Sequence, residues 1–69
     1  MRVRASNLEK GRYSLSLIDI QGRELNERII YHDGGMMNET IEVKKLKKGM
    51  YYVRIQNERN VLVQMILVE

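Results

Sequence analysis

At 69 residues, the chain reads as one small domain near the lower size limit for a fold held by an apolar core alone, and with no cysteine it lacks a disulfide or thiolate metal site to help. Phenylalanine, tryptophan and proline are also absent, so the core must come from Leu, Ile, Val, Met and Tyr. No apolar run approaches the ~20 residues of a membrane-spanning helix, and the net charge of +3 is concentrated in one cluster, Lys44, Lys45, Lys47 and Lys48.

Taken in order, the segments alternate with period two and show almost no helical periodicity. Arg2 to Ala5 predicts a short first strand with Val3 inward, and Ser6 to Gly11 a connection. Tyr13 to Ile20 predicts a second strand, with Leu15 and Leu17 on one face and Ile18 and Ile20 on the other, so that both faces are covered. Asp19-Ile20-Gln21-Gly22-Arg23 is the strongest hairpin signal: a carboxylate that can bond the amides ahead of it, with a glycine three residues on. Glu24 to Tyr31 reads as the return strand, with Leu25, Ile29 and Tyr31 on one face. His32 to Gly35 is a connection, and Asn38 to Val43 the next strand. Lys44 to Lys48 crosses to Gly49, Met50 to Gln56 follows, and Asn57 to Asn60 is a polar turn. Val61 to Val68 is apolar on both faces except for Gln64, which predicts a covered strand near the middle of a sheet or one inserted between partners. Six to seven short strands at this spacing predict an all-β fold, a small immunoglobulin-like antiparallel sandwich.

Two stretches are spelled almost alike. Leu8-Glu-Lys-Gly11-Arg-Tyr13 and Leu46-Lys-Lys-Gly49-Met-Tyr51 both read L-x-x-G-x-Y, and each leads into alternating apolar residues. A glycine free to take positive φ turns the chain into a strand led by tyrosine, whose ring enters the core while its hydroxyl stays near a corner backbone group. Duplication and convergence on one corner chemistry explain the repeat equally well. This placement favours packing over sugar stacking for Tyr13 and Tyr51, and leaves Tyr52 as the candidate exposed aromatic.

Catalytic and cofactor chemistry finds little purchase. His32-Asp33, with Glu39 nearby, offers one imidazole among glycines, a poorly preorganised metal site. Gly34-Gly35 is followed by neither the lysine nor the hydroxyl of a phosphate loop, and Ser14 and Ser16 have no base in reach of the pattern. The expectation is therefore a non-enzyme without cofactor or metal. The lysine cluster lacks the interleaved aromatics of a single-strand binder and reads as a solvated loop that discourages edge pairing, not as a nucleic-acid site. The opening Met-Arg-Val-Arg has no apolar h-region and does not read as a secretory signal.

The blocks resemble a known family. Gly11-Arg-Tyr13-Ser-Leu15-Ser-Leu17-Ile-Asp19-Ile-Gln-Gly22-Arg23-Glu-Leu25 is similar to the G-x-Y-x-L-x-L-x-D-x-x-G-R-x-L block of the C-terminal sorting domains of the type IX secretion system of Bacteroidetes. Leu46 to Ile55, with Leu46, Gly49 and Tyr51, resembles the second block, L-x-x-G-x-Y-x-V-x-I. Leu62 to Val68, with Val63, Met65, Ile66, Leu67 and Val68, resembles the terminal apolar strand. Two features depart from the family pattern: there is no Pro-Asn-Pro opening, and Gln64-Met65 stands where a lysine often precedes the last apolar residues.

The resemblance implies a transport label. A cargo lying N-terminal in a longer secreted protein would cross the periplasm, be passed through the outer membrane by the type IX translocon, and usually lose the label to a cell-surface sortase. Residues 1–69 would then be a single sorting domain excised from that longer chain, present in the periplasm in transit and then at the surface or outside. The residues themselves leave an accessory sandwich that binds carbohydrate or protein as the alternative. The apolar last strand further predicts a tendency to homodimerise by strand pairing or exchange.

Overall fold

A computed structural model describes all residues, 1–69. It is all-β, with six strands: β1 (Arg2–Leu8), β2 (Gly11–Asp19), β3 (Glu24–His32), β4 (Gly35–Thr40), β5 (Gly49–Gln56) and β6 (Val61–Val68). They form two antiparallel sheets, a ribbon β1-β4 and a four-stranded sheet in the order β3-β2-β5-β6. The ribbon lies on one face of the larger sheet. Val3, Leu8, Met37 and Ile41 from the ribbon side pack with Tyr13, Leu15, Leu17, Tyr51, Val53, Ile55, Ile66 and Val68 of the sheet in one core.

The repeated spelling corresponds to a repeated architecture. Tyr51 lies 38 positions after Tyr13, Val53 38 after Leu15, and Ile55 38 after Leu17. The same shift carries Ser16 onto Arg54, and those two residues pair directly at the middle of the β2–β5 ladder. Exchanging the halves maps the order β3-β2-β5-β6 onto itself, and β1-β4 likewise. Each half is therefore a ribbon strand, a tyrosine corner, a sheet strand and a hairpin to an outer strand. The corners are chemically equal: Tyr13 Oη donates to the Glu9 carbonyl at 2.7 Å and Tyr51 Oη to the Lys47 carbonyl at 2.7 Å. Both glycines sit at positive φ, Gly11 at +154° and Gly49 at +147°, where a Cβ would strain the backbone.

The hairpins correspond too. Asp19 Oδ1 accepts the amides of Gln21 and Arg23, and Asn57 Oδ1, 38 positions on, accepts those of Arg59 and Asn60. Both turns are thus closed by an Asx side chain that replaces missing ladder bonds. In the first, Gly22 takes φ +88° and its amide donates to the Asp19 carbonyl at 3.0 Å, as the D-x-x-G spacing predicts.

Several boundaries and faces differ from the sequence reading. β1 continues to Leu8 across an irregularity at Ser6-Asn7, where Asn7 adopts φ +61°, a conformation asparagine tolerates better than most residues. β4 starts at Gly35 rather than Asn38 and stops at Thr40, so Met37 supplies its buried side chain and Ile41 follows the strand. The reason is register: β1 pairs Arg2 with Thr40 and Ala5 with Met37, which draws the glycine end into the ladder. Ile20 leaves β2 for the hairpin tip and is 69% exposed, while Ile18 is half-buried beside its partner Tyr52, so β2 is covered on its outer face only in part. On β3, Tyr13 faces Ile30, which makes Ile30 the inward residue. Leu25, Ile29 and Tyr31 are consequently exposed, and Tyr31 rather than Tyr52 is the fully open aromatic.

The largest difference concerns β6. It is an edge strand, not a central one, paired only with β5. Its inward face is buried only at Ile66 and Val68, and its outward face is bare throughout.

Candidate functional site

The terminal strand and the corner before β5 form one structural unit. Tyr51 pairs with Ile66 and Gly49 with Val68, so the inward Ile66 and Val68 pack beside the tyrosine ring and are buried. The outward positions of the same strand, Val61, Val63, Met65 and Leu67, are all more than half exposed. Alternation along a pleated strand produces this division, and the residue type does not reveal it. The second backbone edge of β6 has no partner strand. Beside it, on the inner face, a cleft opens between β1 and β6, lined by Arg4, Ala5, Ser6, Leu62 and Gln64, with Val53 and Ile55 as its floor.

The other flank of the ribbon has a cleft of similar size, bordered by Leu15, Leu17, Asn26, Arg28 and Thr40. There Arg28 Nη2 reaches from β3 to Glu39 Oε1 at 2.9 Å and to the Thr40 carbonyl at 2.8 Å, tying β3 to β4. The residue 38 positions later is Ile66, which cannot make such a bridge. Both flanks carry a cleft, but the β1–β6 flank lacks the polar tie that joins β3 to β4. Sequence reasoning missed Arg28, because nothing local distinguishes a cross-sheet arginine from a solvated one.

Most of the motif residues meet at one end of the sandwich. Asp19 pairs with Tyr51, which places the Asp19–Arg23 hairpin beside the Gly49 corner and the last residues of β6. Asp19, Gly22, Arg23, Leu46, Gly49, Tyr51, Ile66, Leu67 and Val68 thus share this end, with Met65 and Val63 leading up to it. Gly11 and Tyr13 sit at the opposite end. Lys44, Lys45, Lys47 and Lys48, all exposed, also lie in the loop at the shared end.

Within it, Asp19 has a structural task. The side chain is buried, accepts the Arg23 and Gln21 amides at 2.9 and 3.0 Å, and its Oδ2 receives Arg23 Nε at 2.8 Å. The Arg23 amide bond, followed by the Arg23 guanidinium and the Gln21 amide, holds its carboxyl below the ordinary value of 3.8 against the opposing effect of burial. A depressed carboxyl contributes stability above the unfolded-state value and loses it as pH falls through the folded-state value. Thermal midpoints should therefore drop as pH is lowered below about 3.8. Asp19→Asn should be less stable near neutrality and flatter through that acid range; equal slopes for both proteins would remove Asp19 as the cause.

His32 is tied up locally, its Nε2 3.1 Å from the Gly35 carbonyl and its ring edge-on to Tyr13 at 6.0 Å. On the outer face, Ser16 Oγ and Arg54 Nε are buried without a hydrogen-bond partner, although Arg54 Nη2 lies 3.4 Å from Glu24 Oε1.

No curated protein and no solved structure matches the chain. Residues 3–69 match the secretion system C-terminal sorting domain, a family of sorting signals and not of enzymes. That match spans nearly the whole chain, two tyrosine corners, Asx-closed hairpins and apolar last strand included, and the chain belongs to the C-terminal sorting domains of type IX secretion.

Proposed function

We propose that this domain is read by the type IX translocon through β6, and that it directs an N-terminal cargo from the periplasm across the outer membrane to the cell surface or beyond. One observation carries the reading: β6 is apolar on both faces yet stands at the sheet edge, with an unpaired backbone and an open cleft at its side. A strand of the receiving protein can add to that edge through main-chain bonds, and alternate side chains can enter the cleft. Such recognition ignores the cargo, as a label shared by many cargoes requires. The domain itself takes no catalytic part, and a surface sortase removes it after passage.

A reporter fused ahead of residues 1–69 and given a signal peptide should reach the medium or surface of a type IX-competent cell, and remain periplasmic when the translocon is deleted. Equal release from both strains would refute the sorting reading. A glycan array on the isolated domain should stay blank, whereas a specific sugar signal would favour an accessory binding sandwich. The same free edge should let two copies pair or exchange β6. Sedimentation velocity at rising concentration reads this directly, and a strictly monomeric chain overturns it.

A further inference from the structure

The lysine loop meets the outer face of β5–β6, and the strand-addition reading, which uses the β6 edge and the side chains along it, leaves the loop, Met50 and Tyr52 unused. Met50 pairs with Leu67 and Tyr52 with Met65, so these four side chains share the outer face. Val63 extends the row, and Ile18 adjoins Tyr52 across the β2–β5 ladder. Met50, Val63, Met65 and Leu67 are 39%, 59%, 53% and 55% exposed. Lys47 and Lys48 directly precede Gly49, which pairs with Val68, so the basic loop borders the Leu67 end of this apolar face. Ile20, 69% exposed, projects from the neighbouring hairpin at the same end.

The charges there are unspent. None of the four lysine ammonium groups lies within 4.0 Å of a carboxylate, although the Lys44 amide donates to Glu42 Oε1 at 3.1 Å, and Asp19, the carboxylate of the adjacent hairpin, is buried and neutralised by Arg23. Lys44, Lys45, Lys47 and Lys48 thus present four exposed cations beside a run of apolar side chains. A protein partner of high affinity would need a pocket for an anchoring residue, but the main clefts open along the ribbon flanks and at the Gly11 end. Two methionines and a leucine on a sheet surface, bordered by ammonium groups, suit a soft layered ligand instead: acyl chains below, anionic headgroups at the rim.

We propose that this end of the domain binds an anionic lipid surface, with Met50, Met65 and Leu67 entering the headgroup–acyl boundary and the four lysines engaging phosphates. The occupant follows from charge complementarity; Met65 and Leu67 also border the β6 edge, and an assay with vesicles and no translocon separates the two roles.

The test is sedimentation of the 69-residue chain with vesicles of phosphatidylcholine containing about one third phosphatidylglycerol, compared with pure phosphatidylcholine. Binding is expected to the first and not the second. Changing Lys44, Lys45, Lys47 and Lys48 together to Gln should weaken it by more than about 100-fold, at roughly 5-fold per lysine. Met65→Ser with Leu67→Ser, at exposed positions that leave the core intact, should weaken it by more than about 10-fold. Circular dichroism checks that each variant is folded. Absence of binding to the anionic vesicles overturns the proposal, as does equal binding to both compositions. Undiminished binding by the Met65/Leu67 variant would reduce the contact to charge alone and also overturn it. If vesicles are ignored while a dimer forms that the Met65/Leu67 variant abolishes, the face belongs to a second copy.

Discussion

Tyr51→Ala is expected to leave the domain largely unfolded at room temperature. The ring is 8% exposed and packs with Ile66 and Val53, so its removal costs about 3–5 kcal/mol in lost burial and cavity. A chain of this length has only about 3–10 kcal/mol to lose. Tyr51→Phe separates packing from the corner bond: it keeps the ring, leaves the Lys47 carbonyl without its 2.7 Å donor, and should cost about 1 kcal/mol. Tyr13, 2% exposed and bonded to the Glu9 carbonyl, should behave alike in both substitutions. Because the two corners lie at opposite ends of the sheet, the double Tyr→Phe variant should show nearly additive losses. Urea denaturation of the five variants measures this. A Tyr51→Ala protein with an unchanged midpoint, or rapid nitration of both tyrosines in the folded wild type, would contradict the corner assignment.

What could be read from the residues was local chemistry, and it was read well where one spacing determined one geometry. The L-x-x-G-x-Y repeat led to two equivalent corners, because glycine at positive φ and a hydroxyl in reach of the carbonyl four residues back leave few alternatives. Asp19 to Gly22 led to its hairpin for the same reason. Placement across the sheets was less legible. Leu25, Ile29 and Tyr31 share a face by alternation, but only the pairing of Tyr13 with Ile30 reveals that this face is the outer one. Val61 to Val68 has the composition of an interior strand, and composition alone cannot distinguish burial from availability to a partner. The Arg28 bridge and the open β1–β6 flank depend on residues far apart in sequence, which no window along the chain brings together.

Export should depend on the exposed side of β6 far more than on the lysines. Deleting Met65 to Glu69 from a reporter fusion should trap it in the periplasm, but that deletion also removes Ile66 and Val68 from the core, so loss of export could follow from unfolding. Met65→Lys with Leu67→Lys is the cleaner change. Both side chains point outward and are more than half exposed, so the core survives, while charge is placed along the edge a receiving strand must approach. Secreted reporter should fall at least about 10-fold, a loss that needs only ~1.4 kcal/mol of weakened recognition. Changing the four lysines to Gln leaves β6 and its free edge untouched.

The decisive measurement is therefore secreted against periplasmic reporter for these two folded variants in one type IX-competent strain. Strand recognition predicts that the Met65/Leu67 variant accumulates in the periplasm while the lysine variant is exported like the wild type. Normal export of the Met65/Leu67 variant, with loss of export by the lysine variant, would contradict it and place the signal in the basic loop.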